Sequence, residues 1–265
     1  MPIDIIEYDS GEKVYDWSIP PEYNIKDGWI KNSHGEKLID FKKSNLHVMN
    51  YSVPIKEKIT FNELSKKLYY CKNISNAIPY RTSYYTRDWG FCLTKNQYDN
   101  ISKEEGLFDI YIDSELNNKG SMTIGELLIP GKIKKEILIS TYICHPSLAN
   151  DNLSGMLMTA FLARELLKLK NLKFSYRILW VPETIGAIAY SAFNEDKMRK
   201  INTGLVVTCV GGPGKYGYKQ SYDREHSINT IIEKVFKKKN IFFEKYPFDI
   251  NGSDERQYSS QGFRI

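Results

Sequence analysis

The feature that most constrains this chain is a change of hydrophobic period near residue 133. KKEILISTYIC (134–144) holds a buried strand. Between Asn152 and Lys170, Leu153, Met156, Leu157, Ala160, Phe161, Ala163, Leu166 and Leu167 recur at three- and four-residue steps, the spacing of a helix face. Asp151 or Asn152 can cap that helix. FSYRILWVP (174–182) reads as a second strand, and residues 186–199 as a helix breaking near Asn194-Glu195-Asp196. GLVVTCVGG (204–212) reads as a third strand, HSINTIIEKVFKKKN (226–240) as a helix and IFFEKYPF (241–248) as a further strand. Strands alternating with helices predict an α/β fold on a mostly parallel, doubly wound sheet. In such a sheet ligands bind at the carboxyl ends of the strands.

Residues 1–130 follow a different pattern, rich in Tyr, Trp, Asn and Lys with short apolar runs. Trp29–Ile30, Leu38–Phe41 and His47–Tyr51 read as strands joined by polar turns such as Asn32-Ser33-His34-Gly35, and residues 62–71 as a short helix. FDIYIDSEL (108–116), then Asn117-Asn118-Lys119-Gly120, then SMTIGELLIPG predict a hairpin. The chain therefore divides into an N-terminal β-rich lobe (1–130) and an α/β core (131–265).

With 265 residues and 42% apolar content, a packed core is expected. The net charge of +5 is spread out, and the run Lys237-Lys238-Lys239 suits a helix C-terminus. Basic and aromatic residues do not alternate, so no nucleic-acid partner is expected. No apolar run approaches ~18 residues, so no membrane span is expected. Cys71, Cys92, Cys144 and Cys209 form no CxxC pair, and MPIDIIEYDSGEK turns acidic and polar at once. Reduced thiols in a cytoplasmic protein are the expectation.

Three polar segments begin where these strands end. His145 follows the first core strand and Asp151 precedes the long helix. Imidazole and carboxylate can share a zinc ion, whereas Asp151 could equally be only a helix cap. Glu183 follows an apolar strand among neutral residues; it is either a general base or a loop carboxylate near a helix start. Asn251-Gly252-Ser253-Asp254-Glu255-Arg256-Gln257-Tyr258 gathers ionisable groups in a glycine-containing loop, which alone suits a solvated turn.

Taken in order, His145, then Ala149-Asn150-Asp151-Asn152-Leu153-Ser154-Gly155, then Glu183-Thr184-Ile185-Gly186, then Ser253-Asp254-Glu255-Arg256-Gln257-Tyr258 resemble the zinc aminopeptidases, whose superfamily includes glutaminyl cyclases. The resemblance is closer to a bacterial aminopeptidase-like branch often encoded among polysaccharide-biosynthesis genes. It rests on Ile143-Cys144-His145-Pro146-Ser147-Leu148-Ala149-Asn150-Asp151-Asn152 and on the stretch from Ile78-Pro79-Tyr80-Arg81 to Trp89-Gly90-Phe91-Cys92. It implies a zinc-peptidase core beside an inserted β-rich lobe, His145 and Asp151 as metal ligands, and Glu183 as general base. It offers Tyr84, Tyr85, Arg87, Asp254 and Arg256 as candidates for substrate contact, and, because this chain supplies fewer ligands than the superfamily, one zinc ion is expected rather than two. The substrate would be a small amide, a peptide or an aminosugar-linked amide.

The chain departs from the wider superfamily at Thr184, where a second Glu is usual, at Thr208 or Cys209, where an acidic ligand is usual, and at Glu255, where a His is usual. The family's last metal His lies beyond the stretch matching Gly262-Phe263-Arg264-Ile265, so a truncated member, a fragment or half of a split gene is expected. A third ligand would then come from Glu183, Cys209 or Asp254. A binding or structural protein without catalysis is the alternative, and an exposed sheet edge or helix face would favour a homo-oligomer. A cysteine hydrolase using Cys144 with His145 is disfavoured, because neighbours on a strand point to opposite faces.

Overall fold

The computed structural model describes residues 1–84, 86–147, 149–259, 263 and 265. In chain order its main elements begin with strands β1 (Asp4–Asp9), β2 (Glu22–Lys31), β3 (Lys37–Asp40), β4 (Ile55–Ile59), β5 (Phe108–Asn117), β6 (Ser121–Ile129) and β7 (Glu136–Ile143). Helix α1 (Gly155–Leu167), strand β8 (Ser175–Pro182), helix α2 (Ile185–Phe193) and strand β9 (Gly204–Val206) follow. The chain then forms β10 (Tyr216–Lys219), α3 (Ser227–Lys238), β11 (Phe243–Tyr246) and α4 (Asp254–Tyr258).

The main sheet has the order β1-β6-β8-β7-β9. Its β8-β7 and β7-β9 pairings are parallel, and its β1-β6 and β6-β8 pairings are antiparallel. The sheet is therefore mixed, which corrects the expectation of a mostly parallel one. The cause lies after β6: the short link 130–135 reverses the chain into β7, and β8, parallel to β7 after the α1 crossover, therefore runs against β6. Around β7 the expected logic holds. Leu138 and Tyr142 pack with Leu179, Val181 and the α2 residues Ala187 and Tyr190. Ile139 packs on the other face with Ile178, Trp180 and the α1 residues Ala163 and Leu166. Coverage on both faces explains why β7 is buried on both sides from Leu138 to Tyr142.

A separate four-stranded sheet, β3-β2-β5-β4, has its own core of Ile30, Phe91, Phe108, Ile110 and Ile112. It lies in sequence between β1 and β6, two strands that precede residue 131 yet belong to the main sheet. The expected hairpin does not form: β5 pairs with β2 and β4, whereas β6 pairs with β1 and β8. Each strand buries its apolar face in a different core, so the Asn117–Gly120 turn carries the chain from sheet to sheet. Glu22 accepts the Ser121 N–H at 3.1 Å, and Gly120 O accepts the Ser10 N–H at 2.9 Å, holding that crossing. His47 lies in a short helical turn where a strand was expected. The third core strand ends at Val206, so residues 207–212 leave the sheet as a loop. No helix among the described residues is long and apolar enough to cross a membrane.

Candidate metal centre

Parallel pairing of β7 with β8 sets Ile143 opposite Pro182, and the Glu183 N–H donates to Ile143 O at 3.1 Å. The residues just past these strand ends, Cys144-His145 and Glu183, are thereby brought side by side. Val207 follows β9 with its N–H on Ser140 O at 2.8 Å, which brings Thr208 and Cys209 to the same end of the sheet.

The segment Asn150–Gly155 completes the cluster. The N-cap position of α1 falls on Ser154, so neither Asp151 nor Asn152 caps that helix. The Asn152 amide is buried and donates to Thr141 Oγ1 at 3.0 Å and Tyr142 O at 2.9 Å, while its oxygen accepts the Cys209 N–H at 3.0 Å. Ser154 Oγ accepts the Val210 N–H at 3.0 Å, and Asn150 Oδ1 accepts the Gly211 N–H at 2.9 Å. A Cβ on Gly155 would sit 2.4 Å from Val207 O. Asn150, Asn152, Ser154 and Gly155 thus stitch this segment to the loop after β9 and leave the Asp151 carboxylate free to face the cluster.

Asp151 Oδ1 accepts the Tyr142 hydroxyl at 3.1 Å, and Thr208 Oγ1 donates to that hydroxyl at 2.6 Å. Burial pushes the Tyr142 phenol up, so it remains a donor. Tyr80 packs at a tilt of 31° against His145, with ring centroids 3.8 Å apart. Burial lowers the His145 pKa, favouring the neutral, ligating form of the ring, although Asp151 and Glu183 pull the other way.

The thiol of Cys144 lies 2.8 Å from His145 Nδ1 and donates to Glu183 Oε2 at 3.0 Å. Strand alternation does not separate Cys144 from His145, because β7 ends at Ile143. Burial, with Glu183 next, pushes the Cys144 thiol up to about 12, so it is no ready nucleophile. Ligand atoms of Cys144, His145 and Asp151 all lie within 4.8 Å of one another. Tetrahedral donors at zinc-bond lengths of ~2.0–2.3 Å lie roughly 3.3–3.8 Å apart, so the group would have to draw in around an ion, and a thiol, imidazole and carboxylate set suits zinc. By donor type these three residues could hold such an ion, and Cys144 stands in the group where Glu183, Cys209 or Asp254 was expected. Cys209 is exposed in the neighbouring loop.

Glu183 Oε1 accepts the Ser253 hydroxyl at 2.8 Å. The next residue, Thr184, has φ 64° and ψ −62°, and the Ile185 N–H donates to Glu183 O at 2.7 Å. That is a γ-turn of the rare, strained positive-φ kind. Asp254 Oδ1 accepts the Thr184 N–H at 2.7 Å and so pins the turn. A Cβ on Gly186 would meet Pro182 Cδ at 2.6 Å, which explains glycine there.

The other expected substrate contacts are placed elsewhere. Asp254 is fully buried, with its Oδ1 on the Thr184 N–H, so it offers no exposed group for a substrate. Arg256 is exposed and donates to Asp249 O at 2.9 Å and Asn251 O at 3.1 Å, closing its own loop. Tyr84 and Arg87 are exposed and do not line the cavity of about 440 Å³ at the cluster, which is bounded by Ile143, Cys144, His145, Asn152, Leu153 and Met156 among others. Tyr85 lies outside the described residues. From the same tyrosine-rich stretch, Tyr80 is the residue that meets the cluster.

A Clostridium acetobutylicum protein named for polysaccharide biosynthesis with an aminopeptidase-like domain is 47% identical over 265 residues, covering 100% of this chain and 60% of that protein. A crystal structure of a protein from the same organism, titled as a peptidase, matches with TM-score 0.95 and 46% identity over 100% of this chain and 62% of that one. The chain thus spans 60% of the length of the curated relative it matches. The zinc aminopeptidase of Bacillus subtilis shares the fold, with TM-score 0.65 and 11% identity over 98% of this chain and 72% of that one. The profile of the family described as "Domain of unknown function (DUF4910)" matches residues 1–265. Matched over its whole length, with the aminopeptidase-like fold and motifs described above, this chain belongs to the DUF4910 family.

Proposed function

We propose that this chain carries the metal centre of a zinc-dependent, aminopeptidase-like amide hydrolase that holds one zinc ion. The reading rests on the convergence of Cys144, His145 and Asp151 beside the tethered carboxylate of Glu183. When bound there, zinc supplies Lewis acidity that polarises a carbonyl and makes water a usable nucleophile near neutral pH. Tyr142 orients Asp151 as a ligand by its hydrogen bond. Cys144 cannot both donate its proton to Glu183 and ligate as a thiolate, so ligation frees Glu183 Oε2. Glu183 then accepts a proton from the attacking water and passes it to the leaving amine, while Ser253 holds its other oxygen. The substrate is a peptide N-terminus or another small amide, including one on an aminosugar.

Metal content by mass spectrometry tests this reading. Near one zinc per wild-type chain is expected, with loss in His145→Ala and Cys144→Ala. Glu183→Gln should keep its zinc and lose turnover by about 10²-fold or more. Undiminished turnover in that variant removes the general-base role. A folded wild-type chain without zinc supports a binding or structural role instead.

A further inference from the structure

Two loops meet at the end of the main sheet opposite the metal centre. Gly131-Lys132-Ile133-Lys134-Lys135 leads into β7, and residues 167–174 lead from the end of α1 into β8. The metal centre lies past the carboxyl ends of the same two strands, each of 8 residues. About 25 Å of strand therefore separates the two places.

The loops are locked to each other. The Lys132 N–H donates to Leu172 O at 2.9 Å, the Ile133 N–H to Lys173 O at 3.0 Å and the Ser175 N–H to Lys135 O at 3.0 Å. Ser175 Oγ accepts the Gly131 N–H at 3.0 Å and donates to Ile133 O at 3.2 Å. A Cβ on Gly131 would run into the Phe174 carbonyl, so the backbones come this close only because residue 131 has no side chain.

The resulting platform is both cationic and apolar. It holds Lys132, Lys134, Lys135, Lys168, Lys170 and Lys173, all exposed, and no acidic residue. Lys168 pairs with Glu165 at 2.7 Å, and Lys173 lies over the Phe174 ring. Among the described residues, Lys132, Lys134, Lys135 and Lys170 have no anionic partner. Between the lysines stand Ile133, Leu167 and Leu169, 41%, 40% and 58% exposed. Lysines interleaved with exposed aliphatic side chains match a lipid headgroup layer. The aliphatic tips enter the acyl boundary, while the flexible lysine stems keep their ammonium groups among the phosphates. A nucleic-acid face favours arginine and open aromatic rings. The two loops contain no arginine, and their one aromatic ring, Phe174, is half-buried.

We propose that this platform docks the protein on an anionic phospholipid bilayer without crossing it. Seated there, the protein turns the carboxyl ends of β7 and β8, and the cavity at the metal cluster, away from the lipid. The contact does not depend on the proposed hydrolysis.

Co-sedimentation of the whole chain with vesicles tests this, comparing phosphatidylcholine alone with an equimolar mixture of phosphatidylcholine and phosphatidylserine. Binding to the mixed vesicles should be at least about tenfold tighter and should weaken steeply with added salt. Lys132→Gln, Lys134→Gln and Lys135→Gln together should lower it about tenfold or more. The same charge change at Lys237, Lys238 and Lys239, an exposed run on α3 and the residue after it, should leave it within about twofold. Ile133→Ser with Leu169→Ser keeps the charge and should weaken vesicle binding by about fivefold or more. All these side chains are exposed, so the variants keep their fold. Equal binding to both kinds of vesicle, or to neither, overturns the proposal. An equal loss in the two triple-lysine variants also overturns it, because the attraction is then one of net charge. Vesicle binding that the serine pair leaves unchanged, or that duplex DNA matches, assigns the platform to polyanions in general and overturns the assignment to a bilayer.

Discussion

Asp254 shows how one buried carboxyl couples the site to pH. Burial, followed by the charges of Glu183 and Glu255, raises its pKa to about 7 against the opposing Thr184 N–H, and its Oδ2 has no hydrogen-bond partner among the described residues. A raised carboxyl pKa means that the folded chain keeps a proton which the unfolded chain releases. Stability therefore falls as pH rises from the ordinary value of 3.8 toward about 7. Asp254→Asn retains an oxygen acceptor for Thr184 without the charge. Urea unfolding should show the variant more stable than wild type at pH 8, on the order of 2–4 kcal/mol, and little different at pH 4. A wild type with the same lead or deficit at both pH values would sink this account. Cys144 carries a second prediction: Cys144→Ser should weaken zinc binding beyond the roughly 10–100-fold typical of losing an outer-shell partner, as read by chelator competition. His145, Asp151 and Glu183 each follow or precede a strong periodic segment, which is why the sequence points to them. Cys144 gives no such signal, because strand alternation sets it apart from His145 unless β7 is known to end at Ile143. Asp254 was legible as part of a motif, but its burial is tertiary and leaves no mark on its neighbours.

At the scale of elements, the sheet is tied together by one buried cation. Arg177 of β8 is 5% exposed and meets Glu136 of β7 through Nε at 2.7 Å and Nη2 at 3.0 Å. Its Nη1 pairs with Glu126 of β6, whose carboxylate also accepts the Tyr190 hydroxyl at 2.9 Å. The guanidinium thus spans the boundary where antiparallel pairing gives way to parallel. Arg177→Ala leaves two partly or wholly buried carboxylates unpaired and should cost about 3–5 kcal/mol in chemical denaturation. Arg177→Ala together with Glu126→Gln and Glu136→Gln should recover part of that loss, since the uncompensated charges are removed. A single variant as stable as wild type would show that the network contributes no net stability. The helix–strand succession after residue 133 was readable from periodicity. The antiparallel half was not: β1 carries Asp4, Glu7 and Asp9 among its few apolar residues, which hides a strand. The turn at Asn117–Gly120 likewise has the chemistry of a hairpin while joining two cores.

Across the whole molecule, α1 is apolar on more than the face it buries. Gly155, Thr159, Ala163 and Leu166 face inward. Leu157, Met158 and Phe161 remain 50%, 51% and 53% exposed, and Leu153 just before the helix is 48% exposed. Leu153, Leu157 and Phe161 follow one another at four-residue steps, so they form a continuous stripe. On α3, Ile231 and Val235 are 52% and 49% exposed at the same spacing. A helix apolar on both faces belongs inside a larger packing unit, and stripes of this kind mark interfaces. Periodicity identified the apolar positions of α1 but could not say which of them meet the sheet, because two overlapping stripes give one dense pattern. A second copy of the chain is the partner we expect on this stripe, and sedimentation should show association that grows with concentration. Leu157→Lys with Phe161→Glu should shift the chain toward monomer while costing little stability, because both side chains already lie half in water. Leu153 also lines the cavity at the metal cluster, so a copy seated on the stripe would narrow its mouth. The double variant should therefore admit a bulky amide probe more readily at high protein concentration. A wild type that stays monomeric at the highest concentration reached would remove both expectations together.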